Sequence, residues 1–315
     1  MTRNLSWDSD ESEALVDGHG YASIADWISS NSSWETLLYT HGFILFRGFG
    51  ITDPTAFDVT LDSLMQPSLE FSEETSPRSG VTDRIFTSTD YPKDYPIQFH
   101  HEFSYRKSYP DRLAFCCLRP AENGGATPLA DSRKVLHRIP DDIVTRFEKL
   151  GITYIRNFTG LGLSWEDAFG TSDKEQVSDY CRSNGVHYSW SGDDLHTRQT
   201  APAVITHPVT GERAWFNSAI NLNVSGIEPK PVRDALRLLP ENSIPTNTLY
   251  GSGKQIEPDV IETLRLAYTE EAIRFDWQSG DVLLIDNLLT AHSREPFRGE
   301  RKIIVGMGSL ASHCD

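Results

Sequence analysis

Residues 98–105 read QFHHEFSY, and the histidine of AHSREPF follows 190 residues after Glu102 (292 − 102 = 190). His100 and Glu102 are separated by one residue. On an extended strand, residues i and i+2 project from the same face. One imidazole and one carboxylate then converge on a point, and His292 would add a third donor from another strand. Two histidines and one carboxylate on one side of a metal, with open positions opposite, suit Fe(II) and dioxygen chemistry. An H-x-E by itself recurs by chance in a chain with ten histidines, so its weight comes from what surrounds it.

Around His292 the chain reads FDWQSGDVLLIDNLLTAHSREPFRGERKIIVGM. Gly280-Asp281 reads as a turn, VLLI as a buried strand and Asp286-Asn287 as its end. Arginine offers a planar fork that grips a carboxylate through two hydrogen bonds. That matters if a dicarboxylate cosubstrate binds the metal. Arg294 and Arg298 read as solvated charges. Arg301 opens an apolar strand and reads as the functional cation.

The elements that must position these groups are mostly short strands. Strands are expected at about 98–105, 112–119, through 186–218, and at DVLLIDN and RKIIVGMGSL. Helices are expected over 22–40, 53–65, 131–138, 141–150, 173–184, 229–239 and 256–273, with Asp53-Pro54 as a start signal and Gly185 as a stop. Residues 68–96 are rich in Ser, Pro, Thr and Gly, and such a stretch before a site reads as a lid. The pattern fits a mainly β protein with helical insertions around a barrel or a jelly-roll (double-stranded β-helix) core. Strand and helix do not alternate regularly, and there is no G-x-G-x-x-G or phosphate loop, so a doubly wound sheet fits poorly.

The chain has 315 residues, 38% of them hydrophobic, and a formal net charge of −16. No linker or internal repeat divides it, so one elaborated domain over 1–315 is expected. The acidity argues against nucleic acid and anionic membranes, which want basic patches, and no apolar run approaches the length of a membrane span. The N-terminus, MTRNLSWDSDESEALVDGHG, has no apolar core of a signal peptide, and residues 1–20 are expected to be flexible or loosely packed. Cys116, Cys117, Cys181 and Cys314 form no C-x-x-C. That is a reduced, cytoplasmic pattern, with Cys116 and Cys117 packing inside RLAFCCLRP.

Six ordered motifs resemble the taurine dioxygenase family of Fe(II)/2-oxoglutarate-dependent oxygenases: GFILFRGF (42–49), HHE (100–102), GGATPLAD (124–131), HPVTGERAWFN (207–217), WQSGDVLLIDN (277–287) and H-x-R-x-P-F (292–297). The resemblance runs over about 38–310. Within the family the chain is most similar to the group that contains the syringomycin-pathway aspartate hydroxylase, which acts mostly on amino acids, free or carrier-bound, in specialised metabolism. The resemblance implies His100, Glu102 and His292 as iron ligands, with 2-oxoglutarate and O2 as cosubstrates. It implies Thr127, 27 positions after His100, as a partner of Arg301 on the far carboxylate of 2-oxoglutarate. The implied partner is a small molecule, free or tethered to a carrier protein.

The chain departs from the taurine enzyme in three places. The interval from His292 to Arg301 is nine residues (301 − 292 = 9) and is longer there, which leaves Arg298 as a fallback. The carboxylate ligand is Glu rather than Asp. The taurine enzyme's Asn four residues before the first ligand is Pro96 here, so taurine is not supported. Gln98, on the face of His100, and Asn217, at a strand end, are candidate substrate contacts. His101 reads as packed or surface, His207 as structural, and Trp215 and Trp277 as core. Glu102 argues against halogenation, which needs a small residue there to admit chloride. Desaturation, cyclisation and epimerisation use the same ligands and stay open. A hydrolytic zinc site lacks its H-E-x-x-H helix. A non-catalytic metal-binding or sensor module has no need of a dicarboxylate clamp.

Overall fold

The computed structural model describes residues 3–6, 9–66, 73–74, 80–88 and 91–312. Two sheets build the core. The larger orders its strands Leu15–Asp17, Phe43–Arg47, Val282–Asp286, Arg112–Arg119, Lys302–Met307 and Ile85–Thr87. The runs FILF, VLLI, LAFCC and IIV are apolar throughout because this sheet is covered on both faces. Leu45, Phe115, Leu283 and Val305 point into the core shared with the second sheet. Their neighbours Ile44, Cys116, Leu284 and Ile304 point the other way, onto Trp27, Leu38, Phe57 and Leu61 of the covering helices. Truncating Leu284, which is fully buried, to alanine would cost about 2–5 kcal/mol.

The smaller sheet orders its strands Arg3–Asn4, Ile273–Arg274, Leu129–Asp131, Thr290–Arg294 and Ile97–His100. This pair of sheets, with helices on the outside, is the expected jelly-roll core. A further four-stranded sheet contains His187–Ser191, Asp194–Ala201, Ile152–Phe158 and Thr246–Tyr250. A small core of its own, around Phe158, Trp165, Phe169 and Leu195, joins it to the helices Trp165–Phe169 and Lys174–Ser183.

Several expectations change. The described part of residues 1–20 is not loose: Leu15 pairs with Leu45 in parallel register, and Ala14, Leu15 and Val16 are buried. The helix expected over 22–40 is two, Ile24–Ser30 and Trp34–His41. The side chain of Asn31 turns back to donate to the Trp27 carbonyl at 2.7 Å and ends the first. The strand expected over 98–105 stops at His100. The Asp53 start signal acts as read, its carboxylate accepting from the Thr55 and Ala56 amides at 2.9 and 3.0 Å. Cys116, Cys117 and Cys181 are buried free thiols, and burial pushes each up to about 12. Much of the stretch read as a lid (68–72, 75–79, 89 and 90) lies outside the described residues, as does Cys314. Among the described residues no helix is long and apolar enough to cross a membrane.

Candidate active site

Antiparallel pairing does the first part of the assembly. His100 ends one strand of the smaller sheet and is the direct partner of His292 on the next. Their ring centroids are 4.3 Å apart. The Nδ1 of His100 lies 2.8 Å from the Gln98 carbonyl. A proton donated there leaves Nε2 as the metal donor, the usual way an outer contact sets a histidine tautomer.

Glu102 arrives differently from the same-face argument. The strand has ended, and the carboxylate is carried by a tight turn whose next residue, Phe103, has φ +53°. A left-handed phenylalanine is strained and persists only where its surroundings over-determine it. Here the ring is buried under the Arg106 guanidinium at 4.6 Å. Asn287 holds the turn from the other side. Its Oδ1 accepts from the Glu102 amide at 2.9 Å, and its Nδ2 donates to the carbonyls of Glu102 at 3.0 Å and Pro110 at 2.8 Å. One ligand atom each from His100, Glu102 and His292 then lies within 4.8 Å of the others. Two imidazole nitrogens and a carboxylate oxygen, with one side open to a pocket, fit Fe(II).

The adjoining residues orient the second histidine. Asp286 Oδ1 accepts from the amides of Leu288 and Leu289 at 2.9 and 3.0 Å, and its Oδ2 meets Nε2 of His207 at 3.1 Å. This fixes the turn that leads into Thr290–Arg294. His207 is thus structural. His101 points away from the ligands, with Nε2 2.7 Å from Ser132 Oγ and Nδ1 3.1 Å from the Asn217 carbonyl. Burial pulls its imidazole down to about 3, so it is neutral packing.

A pocket beside the triad is walled by Thr127, Ser88 and Arg301, with Phe115, Ile303 and Val305 of the larger sheet as its apolar floor. The half-buried Arg301 donates through Nε to the Gly125 carbonyl at 2.9 Å and through Nη2 to Thr127 Oγ1 at 3.2 Å. Gly125 (φ +73°) permits this approach, since a Cβ there would meet Arg301 Cδ at 3.1 Å and Phe297 Cβ at 3.0 Å. Among the described residues no carboxylate pairs with Arg301. Burial, then the like charge of Arg294, pulls its guanidinium down to about 10. A largely desolvated cation without a counter-ion is costly, and a ligand carboxylate would lower that cost. Arg298 is exposed on a short strand paired with Asn123 and lines no part of this pocket.

Two expectations about side chains are corrected. Arg294 is not a solvated charge: it is buried and donates to the carbonyls of Tyr91, Pro92 and Tyr95 at 2.8–2.9 Å. Its i+2 spacing from His292 was the signal for an inward residue. Asn217 is not at the pocket wall. Its side chain donates to the Ala203 carbonyl at 3.0 Å and accepts from the Ala219 amide at 3.0 Å, so it is spent on its own turn. Gln98 does line an open cleft that reaches His100 and Glu102 from outside, together with Asn221, Ile227, Val232, Leu236 and Thr246. Asn287 and the Trp277 indole, which donates to Thr127 at 3.0 Å, were missed as site residues. An Asn that ends a strand and a buried Trp carry no local sign of their partners.

Residues 12–307 match the family described as taurine catabolism dioxygenase TauD, TfdA family. The chain is 34% identical over 305 residues to the dapdiamide synthesis protein DdaC of Enterobacter agglomerans, covering 93% of this chain and 92% of that one. It is 29% identical over 285 residues to a clavaminate synthase-like protein of Arabidopsis thaliana, covering 87% and 83%. Among solved structures it resembles PvcB of Pseudomonas aeruginosa, with TM-score 0.56, 14% identity and coverage of 93% and 84%, a likeness of fold. With the family matched over nearly the whole chain, on a jelly roll that gathers two histidines and a glutamate beside a half-buried arginine, this protein belongs to the TauD/TfdA family and is a dioxygenase dependent on Fe(II) and 2-oxoglutarate.

Proposed function

We propose that this dioxygenase hydroxylates an unactivated C–H bond of a small amino-acid-like substrate, free or carrier-bound, in specialised metabolism in the cytoplasm. In this reading His100, Glu102 and His292 hold the iron, and Thr127 and Arg301 hold the far carboxylate of 2-oxoglutarate. The observation that carries it is the half-buried Arg301, without a carboxylate partner among the described residues, in one pocket with the His-Glu-His cluster. The relative named for dapdiamide synthesis supports a role in specialised metabolism.

Iron and 2-oxoglutarate, when bound, supply the oxidative chemistry, in which dioxygen and decarboxylation to succinate and CO2 put one oxygen atom into a C–H bond. The chain supplies placement. Arg301 fixes the cosubstrate's far end by a charge-assisted fork. Phe115, Ile303 and Val305 keep water from the floor. Glu102, as a ligand, would fill the coordination position that a halide would need. Gln98 stands in the open cleft on the approach to the ligands, where it can hydrogen-bond substrate.

The test is a screen of free amino acids and carrier-tethered aminoacyl groups with Fe(II), ascorbate and 2-oxoglutarate. A product heavier by one oxygen atom, formed in step with succinate, is expected. Succinate formed with a product two hydrogens lighter would replace hydroxylation by desaturation or ring closure.

A further inference from the structure

The hydroxyl of Thr127 lies under two groups that donate and cannot accept. The Nε1–H of Trp277 reaches Thr127 Oγ1 at 3.0 Å, and Nη2 of Arg301 reaches the same oxygen at 3.2 Å. A hydroxyl has one O–H and two lone pairs, whereas indole and guanidinium have only donors. With both lone pairs engaged, the Thr127 O–H is left as a donor. Among the described residues it donates to nothing, and Thr127 walls the pocket that holds His100, Glu102, His292 and Arg301. The geometry is rigid: Thr127 is 4% and Trp277 7% exposed, and the Trp277 ring packs edge-on against Phe275 at 4.8 Å.

We infer that Trp277 is a positioning residue for the cosubstrate. Its N–H turns the Thr127 proton into the pocket, so that the hydroxyl acts only as a donor to the far carboxylate of 2-oxoglutarate. This rests on the reading of Thr127 and Arg301 as the carboxylate site. It also gives that site a preference. Thr127 and Arg301 then present donors alone, which suits a carboxylate and disfavours a terminal amide, whose NH2 would face them. Without the indole N–H, the hydroxyl is free to rotate and offer the carboxylate a lone pair.

The experiment measures binding by calorimetry to the full-length protein loaded with Mn(II), which supports chelation without turnover. The ligands are 2-oxoglutarate and 2-oxopentanoate, which keeps the chelating 2-oxo acid and lacks the far carboxylate. Trp277→Phe is expected to weaken 2-oxoglutarate about three- to tenfold, the worth of one redirected hydrogen bond, and to leave 2-oxopentanoate within about twofold. Added to Thr127→Val, Trp277→Phe should weaken 2-oxoglutarate little further, because it acts through that hydroxyl. Replacing the Trp277 indole by benzothiophene, which keeps the shape and lacks the N–H, should give the same pattern if the Phe variant folds poorly. Equal weakening of both ligands, or the same loss with and without the Thr127 hydroxyl, would reduce Trp277 to packing and overturn the inference. Arg301→Ala separates the two levels. If it leaves 2-oxoglutarate affinity intact, the carboxylate site itself is wrong and the role of Trp277 falls with it. If it weakens affinity while Trp277→Phe does not, only the role of Trp277 falls.

Discussion

The carboxamide of Asn287 closes on both backbone groups of Glu102, accepting from its amide at 2.9 Å and donating to its carbonyl at 3.0 Å. Both residues are buried. A residue at the end of one strand of the larger sheet thereby fixes the turn that carries the carboxylate of the triad. Asn287→Ala leaves these groups and the Pro110 carbonyl without that partner, an expected loss of about 1–3 kcal/mol in unfolding free energy. Metal affinity should fall about ten- to hundredfold, as for other outer contacts that orient ligands. Denaturant unfolding and metal titration on the same variant check both. Wild-type metal affinity in a destabilised variant would show that the clamp serves folding alone.

His100→Ala and His292→Ala are expected to abolish iron binding and turnover. The two rings face each other across the ladder, and among the described residues these two and Glu102 form the one group arranged to hold a metal. Metal content after dialysis and succinate formation are the measurements. Activity near wild type in either variant would remove that residue from the ligand set.

Glu102→Ala is expected to lose hydroxylation, because as a ligand the carboxylate would take the position that chloride would need. The wild-type enzyme in chloride buffer should give no chlorinated product. Mass spectrometry of the product decides this, and a chlorine isotope pattern from wild type would show that Glu102 does not stay on the metal.

Arg301→Ala should raise the 2-oxoglutarate KM about ten- to hundredfold, the scale of one charge-assisted hydrogen bond, with a smaller change in the substrate KM. Arg298→Ala should leave the 2-oxoglutarate KM unchanged, since that side chain is exposed on a short strand. Steady-state kinetics on both variants test the pair. A large effect at Arg298 and none at Arg301 would move the carboxylate site to the hairpin.

The sequence by itself carried the fold class, because short apolar runs such as VLLI and FILF, bounded by turn residues, read as strands covered on both faces, and local start signals such as Asp53-Pro54 act within one helical turn. It also carried the H-x-E pair and the distant histidine as spacings. It did not carry the way Glu102 arrives. The strand ends at His100, two residues before Glu102, Phe103 is left-handed, and the backbone of Glu102 is held by Asn287 from 185 residues away. Arg294 and Arg298 sit four residues apart with the same chemistry. Only the tertiary structure makes one a buried grip on the Tyr91, Pro92 and Tyr95 carbonyls and the other a surface charge. The same holds for Trp277 and Thr127, 150 positions apart in the chain and one hydrogen bond apart in space. Hydrophobic periodicity is a local property and survives in the sequence. The partner of a buried polar group is chosen by how the sheets pack, and no spacing along the chain encodes it.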